Sequence, residues 1–209
     1  MIRTRVAVAL WLSVVPSSLF AQFEIAGRGG VHVDRAPEHD RLVTDGGAAM
    51  YADRGEASAL GVRLGYWRRP TLGFQLDVSR SSNASWSGST PLPPPAFANR
   101  TTYLSARAVA RTMPAKRLQL AIAAGPAVMV YGGTGTNLRS RGADLGAVVE
   151  ASARLRIVHQ LAFELAVSNY FYGSRYVADP TQGGSQTGAT RSVFRHDLLL
   201  LPGLVYTWP

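Results

Sequence analysis

From Gln22 onward the chain alternates apolar and polar positions with a period of two, in runs broken by glycine, proline and small polar residues. That is the periodicity of strands and not of helices. Phe23, Ile25, Gly27, Gly29, Val31 and Val33 alternate with Glu24, Ala26, Arg28, Gly30 and His32, predicting a first strand. A second sets Leu60, Val62, Leu64 and Tyr66 against Ala59, Gly61, Arg63 and Gly65, and a third sets Leu72, Phe74, Leu76 and Val78 against Gly73, Gln75, Asp77 and Ser79. In the fourth, Leu104, Ala106, Ala108 and Ala110 face away from Tyr103, Ser105, Arg107 and Arg111. The fifth, Leu118 to Tyr131, is apolar on both faces as a buried helix would be, but Gly125-Pro126 in its middle favours a strand. The sixth sets Leu145, Ala147, Val149, Ala151, Ala153, Leu155 and Ile157 against Asp144, Gly146, Val148, Glu150, Ser152, Arg154 and Arg156. The seventh sets Leu161, Phe163, Leu165, Val167 and Phe171 against Ala162, Glu164, Ala166, Ser168, Tyr170 and Tyr172. The eighth is the C-terminal run from Arg195 to Trp208, where His196, Leu198, Leu200, Pro202, Leu204, Tyr206 and Trp208 share one face.

The connections between these runs alternate in length. Arg68 to Pro70, Thr112 to Lys116 and Val158 to Gln160 are tight, Arg35 to Glu56, Ser81 to Asn99 and Gly173 to Thr190 are long, and Gly132 to Gly142 is intermediate. All the long ones then fall on one side, which suits an all-β, eight-stranded antiparallel up-and-down transmembrane barrel and has no reason to arise in a Greek-key sandwich. The second long loop, with its serines and Pro91-Leu-Pro-Pro-Pro95, reads as solvated irregular chain. Pro126 and Pro202 conflict with an unbroken ladder, so each is expected at a bulge or a rim.

Energy decides which face meets lipid. With the polar face outward, Arg28, Asp77, Arg107, Glu150, Arg154, Glu164 and Asp197 would sit in hydrocarbon, where each arginine costs roughly 2 to 4 kcal/mol near the midplane. With the apolar face outward, aromatic residues sort to the strand ends as two girdles: Phe23, Tyr66, Trp67, Tyr206 and Trp208 near the turns, and Tyr131, Phe171 and Phe194 near the loops. The interior of eight strands is just wide enough for side chains to fill. It would receive Glu24, Arg28, Arg63, Asp77, Arg107, Glu150, Arg154, Glu164 and Asp197, together with Arg111, Asp144, Arg156 and Arg195. Unpaired charges in so narrow a space would each cost several kcal/mol, so near-balance of sign predicts an ion-pair network that plugs the lumen. The hairpin centred on His159 places Arg154 opposite Glu164.

The final segment, Gly203-x-x-Tyr206-x-Trp208, resembles the Gly-x-x-aromatic-x-aromatic C-terminal sorting signal of bacterial outer-membrane β-barrel proteins, in their small eight-stranded, OmpA/OmpX-like form. It departs in having Pro202 before the glycine and Pro209 after the last aromatic. The resemblance implies insertion by the barrel-assembly machinery, with Gly203, Tyr206 and Trp208 as the assembly signal. At the other end, Arg3 and Arg5, the apolar run Val6 to Val15 and the small-residue exit through Ala21 read as a secretory signal peptide over residues 1–21, leaving 22–209 as the barrel domain. The apolar core is too short to span a membrane as a helix.

Composition alters this picture little. The 209 residues carry a formal charge of +9, but Lys116 is the only lysine and the arginines are scattered, without the clustered stripe or reading motif of a nucleic-acid binder. The absence of cysteine removes disulfides, thiolate metal sites and cysteine nucleophiles. Gly27-Arg-Gly-Gly30 and Gly132-Gly-Thr-Gly135 look like phosphate loops, yet the first lies in a strand and the second lacks the Gly-Lys-Ser/Thr ending. Glu38-His39-Asp40 could contribute to a metal site or a catalytic group, and His196-Asp197 is a further acid and histidine pair, but neither has a partner that can be placed. No catalytic residue, cofactor or metal is therefore assigned. The reading is a monomeric outer-membrane barrel with a structural or surface-binding role and lipid as its surroundings. The alternatives are a narrow porin-like channel, a soluble lipocalin-like binding barrel with the faces reversed, and a membrane-embedded hydrolase.

Overall fold

The computed structural model describes residues 22–34, 41–43, 49–51, 57–82, 87–88, 99–112, 117–133, 142–177 and 190–208. The segment read as a signal peptide, the Glu38-His39-Asp40 group, the run from 91 to 95, Lys116 and Pro209 lie outside these residues. The described strands are β1 (Gln22–Asp34), β2 (Arg41–Val43), β3 (Ala49–Tyr51), β4 (Ala57–Trp67), β5 (Leu72–Ser82), β6 (Ser87–Gly88), β7 (Asn99–Arg111), β8 (Leu118–Gly133), β9 (Ala143–Arg156), β10 (Leu161–Val177) and β11 (Thr190–Trp208). Eight of them close into an antiparallel barrel in the order β1-β11-β10-β9-β8-β7-β5-β4, with β4 returning to β1. Closure joins the chain's first and last strands, Phe23 opposite Trp208 and Ile25 opposite Tyr206, so no barrel strand is left with an open edge. The doubly apolar run β8 is a strand, as its Gly125-Pro126 pair requires.

Three short turns gather at one end. In the turn after β4, the Arg69 N–H donates to the Leu72 carbonyl at 3.1 Å, and in the turn after β9, the Leu161 N–H donates to the Val158 carbonyl at 3.3 Å. Pairing of Phe23 with Trp208 brings the start of β1 and the end of β11 to that same end. At the opposite end the long connections contain a second sheet in the order β2-β3-β6. Met50 pairs with Gly88 and Tyr51 with Ser87, so the second long loop is tied by backbone hydrogen bonds to the first instead of being irregular throughout.

The two prolines stand mid-strand, neither at a rim nor at a bulge. The β7–β8 register runs to Ser105 opposite Ala127 and resumes at Ala108 opposite Ala124 without a slip, while Pro126 still pairs with Ala147 of β9. Likewise β1–β11 runs from Arg28 opposite Gly203 to Val31 opposite Leu200, and Pro202 still pairs with Leu165 of β10. A strand residue directs its N–H to one neighbour only, so each proline silences the rungs on one side and leaves the other side whole. A glycine lies beside each gap. A Cβ on Gly30 would fall 1.9 Å from the Leu200 carbonyl oxygen, and one on Gly125 2.0 Å from that of Ala106, so both strands approach where only hydrogen fits.

The period-2 pattern sorts the faces. Large apolar side chains such as Leu60, Ile122 and Leu145 are 71%, 67% and 78% exposed on the outer surface, and the charged set points inward. Two girdle assignments are corrected. Trp67 and Tyr131 are buried inside the barrel because each follows an outward neighbour, Tyr66 and Val130. Phe23, Tyr66, Tyr206 and Trp208 remain on the outside near the turns, and Phe171 and Phe194 near the loops.

Gly30→Ala and Gly125→Ala are each expected to destabilise the barrel by roughly 1 to 3 kcal/mol, the usual cost of forcing added atoms into a filled space. Urea titration in detergent measures this, and an unchanged midpoint would show that the strands can separate there without cost.

Candidate functional site

Most of the charged side chains among the described barrel residues face the lumen, where they gather in three tiers. Nearest the turns, Glu24 of β1 accepts from Arg111 Nη1 and Arg154 Nη1, each at 2.8 Å. The guanidinium of Arg111 lies 3.6 Å from the centre of the Trp67 ring, which gives this misplaced girdle residue a cation–π role.

The middle tier is built on Glu150 of β9. Its carboxylate accepts from Arg28 Nη1 at 3.0 Å, Arg63 Nη1 at 3.1 Å and Ser168 Oγ at 2.6 Å, and pairs closely with Arg107. Arg63 donates through its other nitrogen to Glu164 at 2.7 Å, and Glu164 in turn pairs with Arg154, directly opposite it in the β9–β10 ladder. Arg28 pairs with Asp77, whose other oxygen lies 3.3 Å from Arg107 Nη2 and accepts from Ser79. Arg107 completes its fork on Ser105 Oγ and the Tyr170 hydroxyl, at 2.8 and 2.7 Å. The charges thus alternate in sign along one connected chain, Arg111, Glu24, Arg154, Glu164, Arg63, Glu150, then Arg28 and Arg107, and finally Asp77. All of these side chains are at most 3% exposed.

The tier toward the loops is aromatic. Tyr103, Tyr131, Tyr170 and Tyr172 pack with Met129, Val148, Leu199 and Leu201. Asp197 accepts from the hydroxyls of Tyr103 and Tyr172, both at 2.7 Å, and lies 3.7 Å from His32 Nε2, while Asp144 accepts from Tyr131 at 2.8 Å. Tyr103 and Tyr170 stack with ring centres 4.6 Å apart.

Each of Glu24, Arg28, Arg63, Asp77, Arg107, Glu150, Arg154, Glu164 and Asp197 therefore faces the lumen. All but Asp197 belong to the connected chain; Asp197 stands apart among tyrosines. Of the C-terminal residues, Gly203 faces inward opposite Arg28, whereas Tyr206 and Trp208 stack edge-on at 4.9 Å on the outside. His196 and Asp197 are not a working pair, because adjacent strand residues point to opposite faces and His196 stacks on Phe171 outside. The lumen partners missed from the sequence, His32, Trp67, Tyr103 and Tyr172, share the inward parity of the charges beside them, which was the available signal. Among the described residues, no group of three or more histidine, aspartate or glutamate side chains is placed to hold a metal.

No protein-family model matches the chain, and no curated protein matches it in sequence. Its fold matches solved outer-membrane proteins. The crystal structure of Neisserial surface protein A superposes with a TM-score of 0.53 at 12% identity, covering 90% of this chain and 98% of that one. OprG from Pseudomonas aeruginosa gives 0.56 at 12% identity, covering 88% and 95%, and AlkL in DMPC bilayers gives 0.57 at 10%, covering 93% and 94%. The chain thus has the fold of the small eight-stranded outer-membrane β-barrels.

Removing Glu150 leaves three guanidinium groups facing one another without their shared anion. Glu150→Ala is expected to destabilise the barrel by about 3 to 5 kcal/mol, as does breaking other buried charge pairs. For Arg154 and Glu164, a double-mutant cycle in urea should give a coupling of at least about 0.5 kcal/mol, as for contacting residues; additivity would show that the two do not interact.

Proposed function

We propose that this chain is an integral outer-membrane protein with a structural or surface-binding role, presented by the long connections and carried on a barrel whose lumen is closed to solutes. One observation carries the reading: an apolar outer face encloses an interior of ion-paired charges. A soluble barrel has no reason to expose Leu60, Leu76, Ile122 and Leu145, and a lipocalin-like cup would put its apolar residues inside. A channel needs water along its axis, whereas here guanidinium groups, carboxylates and tyrosine rings bond to each other across it. On this reading the role is non-catalytic, with His32 bonded to the Tyr103 hydroxyl at 3.2 Å and lying 3.7 Å from Asp197. Lipid surrounds a single copy. Residues 1–21 direct export, and Gly203, Tyr206 and Trp208 present the closing strand to the barrel-assembly machinery.

Cell fractionation with gel electrophoresis before and after boiling tests location and fold together. The protein is expected in the outer-membrane pellet, with a folded form that migrates differently from the boiled one; a soluble periplasmic protein would overturn the reading. Deleting residues 206–209 should abolish the heat-modifiable form, since β11 must pair with β1 to close the barrel. In planar bilayers the wild-type protein should show no stable conductance, and a steady open state would replace the closed lumen with a narrow pore.

A further inference from the structure

The outer surface is not uniformly convex. Between β5, β7 and β8, close to the short turns, lies a groove of about 570 Å³. Its floor is made of outward-facing Ala108, Ala110 and Ala124, and its sides of Leu72, Phe74 and Ile122. Small residues in three neighbouring positions, flanked by large ones, leave a depression about as apolar as the rest of the belt. The groove differs from that belt at one end, where the exposed Arg68 and Arg69 of the β4–β5 turn complete the lining. Among the described residues no acid lines it.

We propose that this groove binds one anionic phospholipid of the leaflet that meets the short turns, with an acyl chain along the alanine floor and the phosphate between Arg68 and Arg69. The proposal rests on the membrane reading above. Guanidinium forks at the level of the turns match the position and geometry of a phosphate at the membrane interface. A second copy of the chain fits poorly. Two barrels side by side in one membrane would bring the same ends together, and the described turn residues there include Arg68, Arg69, Arg117 and His159 and no acid. Such a contact would set cation against cation, whereas an anionic headgroup neutralises them.

The test is native mass spectrometry of the full-length protein released from detergent micelles containing equal amounts of phosphatidylglycerol and phosphatidylcholine. One phosphatidylglycerol should be retained in preference to phosphatidylcholine. Arg68→Gln with Arg69→Gln should lower that retention on the order of tenfold, and Ala108→Leu with Ala124→Leu should lower it by filling the groove, both with the heat-modifiable form intact. Equal retention of the two lipids, or retention unmoved by both variants, overturns the site. A dimer that disappears when the groove is filled assigns the face to self-association and overturns it too. If the wild-type protein is not heat-modifiable, the membrane reading itself fails, and that gel distinguishes this outcome from loss of the lipid site alone.

Discussion

The constraint on which the rest depends is that charge has nowhere to stand alone. On the reading proposed here hydrocarbon surrounds the barrel and side chains close its lumen, so every guanidinium brought inside needs a carboxylate within reach. Glu150 shows how few anions suffice when they are placed at a meeting point: one carboxylate serves Arg28, Arg63 and Arg107, which come from three different strands. Arginine suits this arrangement because its flat fork can hold two acids at once, as Arg63 holds Glu150 and Glu164, and Arg154 holds Glu24 and Glu164. A lysine ammonium has no such fixed reach, which gives a physical reason why the ion-paired cations among the described interior residues are arginines.

How much of this was legible beforehand follows from what depends on local periodicity and what does not. Parity along a strand needs only neighbours in the chain, so the inward set from Glu24 to Asp197 and the pairing of Arg154 with Glu164 across a tight hairpin were readable. Parity also placed Trp67 and Tyr131 inside, and they were misassigned only because their strand-end position was weighed above the residue before them. Contacts across the lumen are different. Arg28 meets Glu150 over a separation of 122 residues because strand tilt and stagger bring those heights together, and neither quantity is written in a local pattern.

The prolines were misjudged for a related reason. A ladder was treated as a property of a strand, whereas each residue bonds to one side at a time, so Pro126 and Pro202 could keep their register and lose rungs with a single neighbour each. The short strands β2, β3 and β6 escaped notice because their residues have no alternation of their own; pairing between two loops creates them.

The two interrupted seams, β1–β11 and β7–β8, lie diametrically across the barrel from each other. They divide it into two half-shells, one of β8, β9, β10 and β11 and the other of β1, β4, β5 and β7. Glu150 and Glu164 belong to the first shell, and Arg28, Arg63 and Arg107 to the second. The Arg154–Glu24 pair, the Arg107–Tyr170 bond and the Tyr103–Asp197 bond cross the same divide. The side-chain lattice therefore works as a set of cross-ties where the backbone stitching is thinnest, so that the rigidity of the whole cylinder is carried through its axis as much as around its wall.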